Sequence, residues 1–250
     1  MGLEARVDPR LIEYIKSNVF PRYRLNGESH GVEHIMQVIQ RTFEIGDEYE
    51  ASHPEKPLNA NIAYVTAAYH DIGDHVDRKK HHIISGEMMM QDKGLDEFIT
   101  PEEKLIIRDA IEDHRASKGE IPRTKYGRLV LTADRNNTLE DFFRRRIKTS
   151  LERHPEFTEE QILQEVFDSS NAKFGRNSGY ALNKPGYLPS QKLQEHFRRI
   201  TELLDDEAGF KDAAREYYCA IQEQSSATQK ISPTLPPDLY QRIKMSDVTR

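Results

Sequence analysis

The chain has 250 residues, a net charge of -6 and no Trp, with 36% hydrophobic and 31% charged residues. That length allows one large domain or a domain with an extension, and the absence of long β-branched runs gives a β-sandwich or doubly wound sheet little support. No block of like charge suggests a nucleic-acid arm, so the acidic balance favours a small anionic substrate met by local positive charge or metal. Cys219 is the only cysteine, which excludes an internal disulfide and fits a reducing compartment. The opening Met1–Arg6 lacks an apolar signal region, and the longest apolar stretch, Ile62 to Tyr69, is far too short to span a bilayer. The expectation is a cytoplasmic protein with no membrane partner.

Helix signals dominate in chain order. Asp8-Pro9 joins an N-cap to a first-turn proline and opens a helix carrying Leu11, Ile12 and Ile15. Ser29 is the expected cap of the next, in which Ile35, Val38, Ile39, Thr42 and Phe43 recur at helical spacing. A small-residue helix follows from Asn61 to His70 and ends near Gly73. Thr100-Pro101-Glu102-Glu103 combines an N-cap, an N1 proline and a capping-box glutamate. The helix after it sets Ile107, Ala110, Ile111 and His114 on one face. One helix is predicted from Arg128 to Ile147, and another opens at Thr158 with Gln161. Residues 171–189 read as a loop, whose Phe174, Tyr180 and Tyr187, with Arg176 between, are candidates for stacking on a base or sugar. Ser190 begins a long amphipathic helix, and a further one covers about 208–222. Residues 223–250 read as a polar linker and a short helical tail at 238–245.

The chemistry lies in Asp and His residues at inward-turning positions. His34 shares a face with Val38 and Ile45, and His70 and Asp71 end the most apolar helix. His82 lies on a face with Gly86 and Met89, His114 on the buried stripe just described, and Asp134 after Leu129, Val130 and Ala133. One buried-face histidine is ordinarily a core residue with a hydrogen-bond partner. Ionisable groups recurring on successive helices differ, because burying them without partners costs on the order of several kcal/mol each. A shared metal site removes that cost, and the His/Asp mixture suits iron, manganese, cobalt, nickel or zinc. His53, His75, His154 and His196 have no such context and read as surface residues. Arg144, Arg145 and Arg146 point about 100° apart on a helix, so they read as a solvated face rather than one patch.

The order His34, then His70-Asp71, then Asp134 resembles the HD superfamily of metal-dependent phosphohydrolases, over about residues 25–140. The resemblance implies an all-α fold, an HD-domain helical bundle with a C-terminal helical extension, forming one domain over residues 1–222. It also implies that His34, His70, Asp71 and Asp134 are metal ligands. His82-Ile-Ile-Ser-Gly86 and Ala110-Ile-Glu-Asp-His114 resemble the added ligand elements of the binuclear HD subgroups. In such sites Asp71 would bridge two divalent ions, with His34, His70 and Asp134 on one and His82 and His114 on the other. His81 adjoins His82 as an alternative ligand; its spacing to Gly86 is five rather than four, which favours His82.

Many members read His-Asp-x-x-Lys, but here Asp74 takes the lysine's place, and Gly-Tyr-Pro is absent. An acid there cannot clamp phosphate, though it can take or give a proton. Asp71 and Asp74 are therefore the catalytic candidates. His30, one turn before His34, joins Arg78, Arg115 and Arg135 as substrate-binding candidates, Arg115 and Arg135 because they directly follow ligands. The implied activity is hydrolysis of a small phosphoester or phosphoanhydride, nucleotides included, by metal-activated water. Paired ions lower the pKa of a shared water toward roughly 7 and make the site net positive for a phosphate. The same ligands serve an HD-type di-iron oxygenase, which is the alternative; a non-catalytic nucleotide-binding HD module is the third reading. The expected partner is a small phosphorylated substrate rather than nucleic acid, and a homo-oligomer is compatible with every reading.

Overall fold

The computed structural model describes residues 1–27, 30–115, 120–135, 138–178 and 187–231, with side chains to residue 224. Among the described residues the regular structure is helical throughout: α1 (Pro9–Asn18), α2 (Val32–Ser52), α3 (Ala60–Tyr69), α4 (His81–Gln91), α5 (Pro101–Asp113), α6 (Lys125–Arg135), α7 (Leu139–Arg153), α8 (Glu159–Phe174), α9 (Gln191–Leu204) and α10 (Glu207–Ile231), with short 3-10 turns between some of them. No helix among these residues is long and apolar enough to cross a membrane.

The caps predicted at Asp8, Thr100, Thr158 and Ser190 form as expected. Asp8 accepts from the Arg10 amide, and Thr100 with Glu103 and Thr158 with Gln161 close reciprocal capping boxes. Ser190 caps α9 through the Leu193 amide. Gly31 is the residue before α2, and Ser29 lies outside the described residues. The helix predicted over Arg128–Ile147 is two helices. Thr138 and Asp141 form a capping box that starts α7 afresh, a Thr-x-x-Asp signal of the kind that opened α5. The predicted loop at 171–189 begins later, since α8 continues to Phe174, which is buried. α10 likewise runs to Ile231, into the segment read as a linker. Tyr180 and the predicted tail at 238–245 lie outside the described residues.

The packing has two centres. The first core is built by α1 to α6 around α3, whose residues are buried on every side, including Ala63, Val65, Ala67, Ala68 and Tyr69. A helix apolar all round belongs at the middle of its bundle, and its alanines let neighbours approach closely. The second core is aromatic and belongs to α7–α10, with Phe143, Phe167, Phe174, Phe197 and Phe210 at its centre. Phe143 meets Phe210 at 5.0 Å between ring centroids and stacks on Tyr217 at 5.3 Å.

Candidate metal centre

The last turn of α3 delivers the His70-Asp71 doublet from the first core. Asn26, buried before α2, donates to the Asp71 and His30 carbonyls at 3.0 and 3.1 Å and accepts from the His75 amide at 3.1 Å. It thereby fixes the turn that follows the doublet. Gly73 lets α4 approach: a Cβ there would lie 2.8 Å from Ile84 Cγ2 and 3.0 Å from the Ser85 amide nitrogen. The Gly73 amide instead donates to Ser85 Oγ at 3.0 Å. α4 therefore starts beside the doublet, with His81 as its first residue. Side chains at a helix start lean back toward the N-terminal end, and this one leans onto Asp71.

The two oxygens of the Asp71 carboxylate face different partners. Oδ2 lies 3.4 Å from His70 Nε2 and 3.7 Å from His34 Nε2. Oδ1 lies 3.3 Å from both His81 Nε2 and His114 Nε2, which are themselves 3.3 Å apart. These donors form two groups of metal-ligand spacing that share Asp71: His34, His70 and Asp71 in one, Asp71, His81 and His114 in the other. Asp134 approaches the first group at His34, with Oδ1 3.3 Å from Nε2. The second ring nitrogens are anchored on backbone carbonyls: His70 Nδ1 on Ala67 at 2.8 Å, His81 Nδ1 on Arg78 at 2.8 Å and His114 Nδ1 on Ile111 at 2.6 Å. Such anchoring fixes the tautomer and leaves Nε2 as the free donor for a metal.

The residues fit a divalent cation. His34 Nε2, His70 Nε2 and Asp134 Oδ1 are buried with no hydrogen-bond partner among the described residues. Orphaned buried polar atoms of this kind are costly unless something charged binds them. Burial alone would raise the Asp71 and Asp134 carboxyls, yet both are held well below the ordinary range. His70, His114 and His34 do this for Asp71; His34, Arg145 and Arg135 do it for Asp134. Both stay anionic, the state a ligand needs.

The structure brings together one histidine other than the one the sequence favours. His82 was the favoured residue of the adjacent pair, but His81 is the one whose ring reaches Asp71 and His114. His82 is buried one position further round α4, its ring 5.6 Å from that of His81. The Gly86 spacing favours His82, but the helix begins at His81, and it is the first residue whose ring lies beside the doublet.

The other expected site residues divide. Asp74 sits at the rim, with Oδ2 3.9 Å from His30 Nδ1 and Oδ1 3.9 Å from His81 Nδ1. Its carboxyl is raised, by burial first and then by the Asp71 charge. His30 is buried, with Nε2 2.9 Å from Arg145 Nη2 and its pKa pushed down to about 3, by burial first and then by Arg145. Arg78, Arg135 and His30 line a cavity of about 200 Å³ beside the ligands. Arg115 donates to the Lys79 carbonyl and so ties down the segment leading into His81. His196, read as a surface residue, is buried and lines the cavity. Arg145 and Arg146, read as solvated, also line it, Arg145 within 3.7 Å of Asp134. Their 100° separation was right for one helix, but α6 and α8 supply the facing cations.

An all-helical bundle whose neighbouring helices converge a carboxylate and four histidines presents a cluster compatible with a divalent metal site. The HD domain family profile matches residues 31–168, more than half of the chain. The chain belongs to the HD domain family, whose members are mostly metal-dependent phosphohydrolases. No curated protein and no solved structure matches it.

Proposed function

We propose that this protein is a phosphohydrolase that cleaves a small phosphoester or phosphoanhydride with two divalent ions held on either side of Asp71. The observation that carries the reading is the division of the Asp71 carboxylate, with two histidines within 3.7 Å of one oxygen and two within 3.3 Å of the other. His34, His70 and Asp134 would hold one ion, and His81 and His114 the other. When bound, such ions supply an acidified water and positive charge for the phosphoryl oxygens.

The chain's own residues complete the chemistry. Asp74 stands where many HD proteins keep a lysine. Its raised carboxyl can hold a proton at the rim and deliver it to a leaving oxygen. Arg145, between Asp134 and His30, offers a forked donor pair to a phosphate at the ligands. Arg78 and Arg135 extend that positive wall into the cavity.

The test is phosphate release from a broad phosphoester and phosphoanhydride panel, under argon, by protein loaded with Mn²⁺ or Co²⁺. Turnover without dioxygen supports hydrolysis. No release from any member, together with substrate-dependent oxygen uptake by the iron form, would overturn it in favour of the di-iron oxygenase.

A further inference from the structure

The cavity beside the metal centre has a charge composition at odds with the protein as a whole. The chain carries -6, yet the cavity is lined by Arg78, Arg135, Arg145, Arg146, Arg153 and Lys173 against the single carboxylate of Glu165. The cations come from four places in the chain: the segment before α4, the end of α6, one side of α7, and α8. Arg146, Thr149 and Arg153 follow one another at helical spacing on α7. Arg146 is wedged between aromatic rings, its guanidinium carbon 4.8 Å from the Phe142 centroid and 5.1 Å from that of Phe174, and it donates to Ser169 Oγ at 3.2 Å. That stacking fixes a guanidinium at the cavity wall with donors to spare.

The cations strain one another. Burial, and then Arg135 and Arg145, push Arg146 down to about 10. Burial, and then Arg146, Arg135 and Arg153, push Lys173 down to about 8. Mutual repulsion in a partly desolvated space is what a polyanion relieves. The cavity lies beside the candidate ligands: His30 and Arg145 line it, and Arg145 touches both His30 and Asp134.

We propose that this cavity is a subsite for a second phosphate group, so that the substrate is a small molecule with at least two phosphates. The proposal rests on the hydrolase reading for which phosphate reacts; the cavity's affinity for an anion does not. One phosphate sits at the ligands around Asp71. The other is gripped by Arg146 and Lys173, with Arg153 at the mouth and the Thr149 and Ser169 hydroxyls as neutral donors.

The experiment is calorimetric titration of the chelator-treated full-length protein with inorganic pyrophosphate, which separates the cavity from any ion at the ligands. One pyrophosphate per chain is expected in the wild type. Lys173→Gln with Arg153→Gln, which removes two of the cavity's cations, should weaken it at least tenfold. Arg144→Gln, whose guanidinium is engaged with Glu140 outside the cavity, should bind as the wild type does. Circular dichroism melting of each variant checks that it folds. Absence of pyrophosphate binding in the wild type, or equal binding in the cavity variant, would overturn the subsite. Pyrophosphate binding that is lost in the cavity variant, alongside a silent phosphoester panel and substrate-dependent oxygen uptake by the iron form, would support the subsite while refuting the hydrolase reading.

Discussion

His81 and His82 are adjacent in sequence, and substituting each should separate a candidate ligand from a core residue. His81 Nε2 lies 3.3 Å from Asp71 Oδ1 and from His114 Nε2; removing it leaves two of three donors on that side of the carboxylate. Loss of a merely supporting group weakens a metal site by about 10–100-fold, so His81→Ala should exceed that and lower bound metal by one equivalent. His81 is only half-buried, so the fold should barely change. His82 is buried, and truncating it should cost roughly 1–3 kcal/mol. At roughly 2–4 °C per kcal/mol for a chain of this size, Tm should fall by about 2–12 °C. Its metal content should stay at the wild-type value. The assays are elemental metal analysis after anaerobic desalting and a thermal melt of the chelated proteins. Loss of one equivalent in His82→Ala, with none in His81→Ala, would refute the geometric argument and restore the sequence spacing.

Further outcomes follow from the same geometry. Asp71→Ala should strip both ions and abolish turnover, whereas Asp134→Ala should lower occupancy only on the His34 side; metal analysis of the two variants checks this. Arg145→Gln should weaken substrate binding or transition-state stabilisation by about 1.5–3 kcal/mol with metal content unchanged, read from kcat/KM beside metal analysis. His196 is buried, and burial, then Arg41, pushes its pKa from 6.5 down to about 4. The unfolded chain takes up the proton first, so stability present above pH 6.5 is lost as pH falls toward 4. That displacement is worth about 3 kcal/mol, and urea unfolding of wild type and His196→Asn across this window should show the variant losing less.

Where a signal is local, the sequence carried it. The capping boxes at Thr100 and Thr158 and the Asp8-Pro9 start are complete within four residues. The doublet, His34, His114 and Asp134 stood out because a charged or ionisable group on an apolar helical face is conspicuous against its neighbours. The choice between His81 and His82 turned on where α4 begins, and that start depends on Gly73 allowing Ser85 close to the doublet, a tertiary fact. Asn26 gave no signal, being one polar residue in a turn whose partners are backbone atoms 45 and 49 positions away. The cavity was invisible for a related reason. Arg135, Arg145, Arg146 and Lys173 converge only when α6, α7 and α8 pack, and a helical-wheel argument on Arg144–Arg146 sees one helix at a time.

The division of the hydrophobic interior has a thermodynamic consequence. Every candidate ligand hangs from the first core, so the α7–α10 half can loosen without pulling any donor from the Asp71 carboxylate. The cavity has no such independence, because Arg78 and Arg135 belong to one half and Arg146, Arg153 and Lys173 to the other. A polyanion bound there bridges the two halves and adds RT ln(1 + [L]/Kd) to whichever separation would release it. At low anion concentration the halves should melt as two loosely coupled units. At saturating concentration they should melt as one, so the occupant of the cavity would govern the cooperativity of the whole chain.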